Sequence, residues 1–513
     1  MVTQDQSEVV AFLESPSAHG GQAVERVDTH ASVVFLAGER ALKLKRAVLY
    51  DYLNFSTADI RKAMCDEELR LNRRTAPAIY RGVVPVTREP DGSLALGGSG
   101  APVEWVLEMR RFDQDALLDR LAERGALPLD DMVPLAKTIA RLHAGADTRP
   151  DYGGRESMRR VVEGNAIAFA ESGGALDVHV CRAVEQASLE AIERHGALLE
   201  ARRAAGFVRQ CHGDLHLRNI VLLEGAPTLF DAIEFNDDIS CVDVAYDVAF
   251  LLMDLWHRQL PRHAGVAWNT YLAETDDLDG LPLMPLFLSC RAAIRAKTSV
   301  TQAPLAATAR TRAALLVTAQ EYLALAGEVL RPSPPRLVAI GGLSGSGKST
   351  LAQALAPSVG AVPGAVLVRS DEIRKRLFGV DPLVRLDAAA YTAEASHRVY
   401  DTLADCAARV VSRGHSAILD ATFLDGAQRQ AVEQVAAACR VPFVGLWLDA
   451  PPELLSARVA ARRNDPSDAD AAVVSGQLGR DLGSIGWHRV QAGPEREVFP
   501  AAMQILRDCP AQT

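Results

Sequence analysis

Three short stretches carry residues that could do chemistry. In "HGDLHLRNI", 212–220, an acid and an amide stand five residues apart behind a histidine. A loop of this kind can aim Asp214 at a hydroxyl group, orienting it and accepting its proton, while Asn219 offers an amide oxygen to a cation that prefers oxygen ligands. About a dozen residues later "TLFDAIEFND" adds strand-borne acids, Asp231 and Glu234, as a second cation ligand. In "GGLSGSGKST", 341–350, the spacing Gly342-x-x-x-x-Gly347-Lys348-Ser349 follows the apolar run "RLVAI" and opens a helical pattern. There Gly342, Ser344, Gly345, Ser346, Gly347 and Thr350 belong to a loop whose backbone N–H groups curl around phosphate at a helix N-terminus. Lys348 reaches the β/γ-phosphates and the Ser349 hydroxyl ligates Mg²⁺. All three stretches suit phosphoryl transfer, which needs positioned oxygens, cations and Mg²⁺ more than covalent catalysis.

The rest of the chain has to position them. With 513 residues it exceeds one ordinary core, and 48% hydrophobic against 23% charged residues describes a globular protein. "LRPSPPR" at 330–336 ends an Ala/Leu-rich helical pattern and stiffens a linker. The expected domains are 1–330 and 337–513, joined by 331–336. Within the first, residues 25–112 read as a β-rich lobe: "SVVFLAGERALKLKRAV" alternates on both sides of Gly38-Glu39-Arg40, which predicts a hairpin. Residues 113–330 read as a helical lobe, with "MVPLAKTIARLHAGA" its clearest helix. After the linker, the buried runs "RLVAIGG", "AVLVRSD", "SAILDATF" and "FVGLWLDAP" each lead into a helical pattern, which predicts a parallel α/β sheet.

The front half resembles aminoglycoside phosphotransferases and choline kinase-like enzymes, relatives of protein kinases, on His212-x-Asp214-x-x-x-x-Asn219 followed by a strand-borne acid. The resemblance implies a bilobal α+β kinase-like fold with Asp214 catalytic and Asn219 a metal ligand. It makes "RALKLKR" the strand of the phosphate-binding lysine, for which the spacing from Ala41 favours Lys43 and Lys45, on the same face, is the alternative. Glu68, in "DEELRLNRR", is implied as that lysine's partner, and "WVLEMRRF" as the interlobe hinge. Asp231 ends the better apolar run, whereas Glu234 better fits the family's spacing to Asp247; Asp231 is preferred. The Gly-rich loop of protein kinases is missing before the lysine strand. His212 is read as bracing the loop.

The back half resembles small P-loop kinases of the polynucleotide kinase, zeta-toxin and gluconate kinase type. This implies that Asp371, in "VLVRSDEIRKRL", activates an acceptor hydroxyl and that Arg374, one turn on, faces an anionic group. Asp420 ends a Walker-B-like strand and would hold a metal-bound water. Arg458 and Arg462, in "LLSARVAARR", would swing from a lid onto the transferring phosphate.

The expectation is therefore an ATP-dependent kinase with two Mg·ATP sites and small-molecule hydroxyl acceptors. The net charge of −10 argues against a general nucleic-acid binder. No apolar run reaches the ~18 residues that span a bilayer, the first residues lack a signal-peptide pattern, and eight scattered cysteines without Cys-x-x-Cys spacing suit a reducing cytoplasm. Oligomeric state and the acceptors are not legible.

Overall fold

The computed structural model describes residues 1–461 and 465–509. The hairpin forms where alternation predicts it. Ser32–Ala37 pairs antiparallel with Arg40–Lys45, and Ala37 faces Arg40 across the two-residue turn Gly38-Glu39. Gly38 has φ +54°, the left-handed conformation that such a turn requires. These strands lie in a six-stranded sheet of order Glu25–Asp28, Ser32–Ala37, Arg40–Lys45, Ala101–Arg110, Tyr80–Arg88, Leu94–Leu96. Phe35, Leu42, Leu44, Val86 and Val106 form one core under it, packed on Val9 and Leu13. The helix Ala58–Asn72 is N-capped by Thr57, whose Oγ1 accepts the Ile60 N–H at 3.3 Å.

"HGDLHLRN" lies between the strands Val208–Gln210 and Ile220–Leu223, the latter a hairpin with Ala226–Leu229. Val208–Gln210 pairs instead with Cys241–Asp243, which runs straight into the helix Val244–His257. The chain divides into two compact units: residues 1–168 with 189–254, and residues 169–188 with 255–513.

In the second unit five strands form an all-parallel sheet of order Val366–Arg369, Ala417–Asp420, Leu337–Gly342, Phe443–Asp449, His488–Gln491. Four match the apolar runs. The fifth, "HRVQ", is an edge strand with only Val490 buried, so no apolar run announces it. Val338, Ile340, Ile418, Val444 and Leu446 are buried with Leu351 and Leu355 of the helix Lys348–Leu355. The phosphate loop, Arg369 and Asp420 thus stand at the carboxyl ends of adjacent strands, where open parallel sheets bind ligands. Among the described residues no helix is long and apolar enough to cross a membrane.

Candidate active sites

Period-two geometry puts Lys43 and Lys45 on one face of their strand, and the structure uses both. Glu68 receives Lys43 Nζ on Oε1 at 2.7 Å and Lys45 Nζ on Oε2 at 2.6 Å. Beyond Glu68 the lysines part. Lys43 reaches Asp231 Oδ1 at 2.6 Å, whereas Lys45 pairs with Glu234. Lys45, Glu68 and Glu234 are buried, while the Asp231 side chain keeps 44% of its exposure. Burial works against the Lys43 ammonium, but Asp231 and Glu68 overcome it and hold its pKa well above the usual lysine range. Burial likewise raises Glu68, yet the two lysines pull it below the usual carboxylate range. Burial raises Glu234, which Lys45 only partly offsets.

Asp231 sits at φ +61°. Its N–H donates to Tyr80 Oη at 3.0 Å and the next, Ala232 N–H, to Asn72 Oδ1 at 2.8 Å. Asn72 stands one turn beyond Glu68 and donates back to the Glu68 carbonyl at 2.9 Å. Glu68 and Asn72 together tie the lysine strand to the acid loop, a role the i, i+4 spacing could have signalled.

On the 212–219 loop, Asn219 Nδ2 donates to Asp214 Oδ2 and to the Asp214 carbonyl, both at 2.9 Å. With the nitrogen spent on Asp214, the amide oxygen is the end left for a cation. Asp247 accepts the His212 N–H at 3.1 Å and the Gly213 N–H at 2.8 Å, and His212 Nε2 donates to the Phe230 carbonyl at 2.9 Å. Burial lowers the His212 pKa, so the ring is a neutral brace between this loop and the strand end before Asp231. Gly213, at φ +84°, lies where a Cβ would meet Ile233 at 3.1 Å and the Ile239 carbonyl at 3.2 Å. In place of a Gly-rich loop, a tight turn joins the first two strands, with Thr29 Oγ1 donating to the Ser32 carbonyl at 3.0 Å. Its tip, His30, is exposed and within electrostatic reach of Asp231 and Asp214; no motif pointed to it.

An amide oxygen, two carboxylates and a lysine suit Mg²⁺ and a triphosphate in their donor chemistry. The phosphate loop of the second unit fits phosphate on separate grounds. Gly342, Gly345 and Gly347 have φ of +137°, +86° and +97°, and a Cβ on Gly345 would stand 2.5 Å from the Leu455 carbonyl. Ser346 Oγ is buried without a hydrogen-bond partner among the described residues. Lys348 Nζ donates to the Leu343 carbonyl at 3.0 Å. Ser349 is half-buried and Thr350 exposed. Arg458 Nη1 donates to the Ser346 carbonyl at 3.1 Å and Nη2 to the Gly493 carbonyl at 2.9 Å, which sets a guanidinium on the loop. Arg462 lies outside the described residues.

Asp371 is the second residue of the helix Ser370–Leu377, whose N-cap position is Arg369 with no side-chain cap; the Asp371 carboxylate makes no hydrogen bond among the described residues. Arg374 turns into the wall: Nη1 donates to the Ala390 carbonyl at 2.5 Å and the guanidinium lies 4.8 Å from the Tyr391 ring centre. Asp420 meets Arg369 Nε at 3.1 Å, and Arg369 also holds Glu372 at 2.7 Å. Two groups here have no local sequence signal. Asp468 takes Lys375 at 2.6 Å and the Tyr391 hydroxyl at 2.5 Å, and Gln477 sits on the phosphate loop, its Oε1 accepting the Ser344 N–H at 2.8 Å.

Residues 68–282 match the profile of a family described as "Phosphotransferase enzyme family", and residues 337–480 that of a family described as "AAA domain". Uncharacterised proteins of Mycobacterium tuberculosis strain H37Rv and of Mycobacterium bovis are each 30% identical over 493 residues, spanning 94% of this chain and 95% of theirs. Among solved structures, a gluconokinase from Sinorhizobium meliloti is 21% identical over 35% of this chain and 94% of its own, with a TM-score of 0.26. A choline/ethanolamine kinase family protein from Mesorhizobium loti is 13% identical over 63% of this chain and 99% of its own, with a TM-score of 0.34. The chain belongs to the same family as the mycobacterial proteins, and it is a kinase-type enzyme in which a phosphotransferase-family domain is followed by a P-loop kinase domain.

Proposed function

We propose that the protein is a bifunctional ATP-dependent phosphotransferase with one Mg·ATP site in each unit, moving phosphate to hydroxyls of small molecules. The observation that supports it most is that each unit carries its own lysine with its own oxygen donors: Lys43 with Asp231 and Asn219, and Lys348 with the glycine nest and Ser349. By sequence the domains are 1–330 and 337–513 about the 331–336 linker, while residues 169–188 and 255–330 belong to the compact unit that holds the second site. Mg·ATP supplies the phosphate and the divalent charge; the chain supplies position and proton acceptance.

In the front site, Asp214 orients the acceptor hydroxyl and takes its proton as the oxygen–phosphorus ester bond forms and the bond between the β- and γ-phosphates breaks with ADP leaving, while Asn219 fixes the carboxylate through Oδ2. Lys43 neutralises phosphate charge, and Asn219 and Asp231 hold the cation, with Glu234 the alternative acid. In the back site, Asp371 plays the proton-accepting role, Lys348 and Arg458 bear on the phosphates, and Ser349 with Asp420 serves the cation. Two acids near the 212–219 loop are already paired, Asp237 with Arg149 at 2.6 Å and Asp119 with Arg218 at 3.4 Å. That favours a neutral or modestly charged acceptor over a polycation.

The test is a metabolite pool incubated with Mg·ATP and read by mass spectrometry for a gain of phosphate. Wild type should phosphorylate two acceptors, Asp214→Asn should lose one and Lys348→Ala the other. Loss of all ATP turnover from Lys348→Ala alone refutes two independent sites. Nucleotide binding with no phosphorylated product from any acceptor points instead to a nucleotide-dependent regulatory protein.

A further inference from the structure

Two N–H groups of the phosphate loop, those of Ser344 and Ser346, are held by protein oxygens, and one of these comes from far along the chain. Ser346 N–H and Lys348 Nζ both go to the Leu343 carbonyl, at 3.1 and 3.0 Å. Ser344 N–H donates instead to Gln477 Oε1 at 2.8 Å, and Gln477 Nε2 donates to Ser344 Oγ at 3.1 Å. Ser344 is the third residue of Gly342-x-x-x-x-Gly347-Lys348-Ser349, inside the run whose N–H groups wrap phosphate oxygens. Gln477 Oε1 is therefore a neutral oxygen acceptor standing where a phosphate oxygen would accept.

The helix Ala471–Leu478 that carries Gln477 is firmly seated. Asp470 caps it, accepting the Val473 N–H at 3.1 Å, and its Val474 is buried with Leu455 and Val459 against Leu343. Two residues before the cap, Asp468 anchors the incoming segment on Lys375 and Tyr391. The carboxamide is thus delivered to the loop by a helix held at its start and along its buried face.

We propose that Gln477 is a gate on the phosphate site: its carboxamide holds the Ser344 N–H in the nucleotide-free protein and leaves when a phosphate oxygen takes that N–H. This rests on the reading of 342–349 as a nucleotide site. A neutral amide suits the exchange, because it satisfies the N–H without setting a negative charge beside the incoming phosphates. A carboxylate of the same length would hold the N–H and repel the phosphates.

The experiment titrates the full-length chain with Mg·ATP and Mg·ADP by calorimetry and follows hydrogen exchange of the 342–347 segment. Gln477→Ala removes the competitor and should bind nucleotide at this site about threefold to tenfold more tightly, the worth of a modest hydrogen-bond clasp. Exchange of 342–347 should quicken without nucleotide and return to wild-type protection with it. Gln477→Asn, one methylene shorter, should shift in the same direction, and Gln477→Glu should bind more weakly than wild type. Unchanged or weaker binding in both Gln477→Ala and Gln477→Asn, with unchanged exchange, overturns the gate. Lys348→Ala distinguishes the deeper failure: if it leaves nucleotide binding in this unit intact, the nucleotide reading of the loop falls and the gate with it.

Discussion

Lys43 Nζ stands 2.6 Å from Asp231 Oδ1 at the partly exposed end of a chain of charges, whereas Lys45, two residues on, is sealed behind Glu68 and Glu234. The two lysines should therefore fail differently. Lys45→Met leaves two buried carboxylates short of a cation, and breaking a buried pair costs about 3–5 kcal/mol, so the first unit should melt early. Lys43→Met leaves Glu68 to Lys45 and Asp231 to solvent. It should melt near wild type yet lose phosphate transfer in the front site. Thermal unfolding beside a transfer assay separates the two, and equal melting of both variants sinks the distinction.

Asp214 should carry rate more than binding. It accepts from Asn219 Nδ2, so Asp214→Asn sets one amide against another while keeping the shape of the site. Transfer by the front site should fall by about 10²–10⁴, the usual worth of general-base catalysis, with nucleotide affinity preserved. Asn219→Ala should instead raise the Mg²⁺ concentration needed for half-maximal activity. Titrating Mg²⁺ at fixed ATP for both variants reads the difference.

The loops were legible because each packs its chemistry into a few contiguous residues. The lysine strand was legible as a strand, and its period of two forced the choice between Lys43 and Lys45 into the open. That both meet Glu68 depends on the reach of a helix carboxylate across to the sheet, which spacing does not encode. Arg374 shows the opposite limit. One helical turn from Asp371, it reads as facing ligand, yet Tyr391 and the Ala390 carbonyl hold it in the wall. Gln477 and Asp468 reach residues more than ninety positions away through single side chains. No periodicity or motif marks such contacts, and the polar edge strand His488–Gln491 is silent for the same reason.

His415 gives the second unit a pH dependence. It is buried two residues before the strand that starts at Ala417, and burial takes its pKa from 6.5 down to about 4. The unfolded chain therefore binds a proton between these values that the folded chain refuses. Stability is complete above pH 6.5 and falls as the pH drops toward 4, by about 3 kcal/mol over the window. His415→Leu should flatten this dependence. Hydrogen exchange of the 417–420 strand, measured at pH 7 and pH 5 in both proteins, tests it; equal pH sensitivity in the variant removes His415 as the cause.

Asn269, in the helix Pro261–Thr275, closes the open edge of the parallel sheet. Its Oδ1 accepts the Leu367 N–H at 2.6 Å and its Nδ2 donates to the Ala365 carbonyl at 3.3 Å, so one side chain does what a neighbouring strand would do. The strand it holds, Val366–Arg369, runs straight into Asp371. Ion pairs flank it, Asp276 with Arg409 at 3.0 Å and Asp279 with Arg413 at 2.7 Å, but these are exposed and contribute little. Asn269→Ala leaves an edge N–H and carbonyl without their partner and should cost about 1–3 kcal/mol, with faster exchange confined to residues 365–369. Asn269→Asp, which keeps the acceptor for Leu367 and loses the donor for Ala365, should fall between the two. The same logic applies to a chain cut at the 331–336 linker: the fragment 337–513 lacks Asn269 altogether, so its edge strand should exchange as fast as in Asn269→Ala or faster. Protection of 365–369 in that fragment equal to the full chain would show that the helix does not hold the strand.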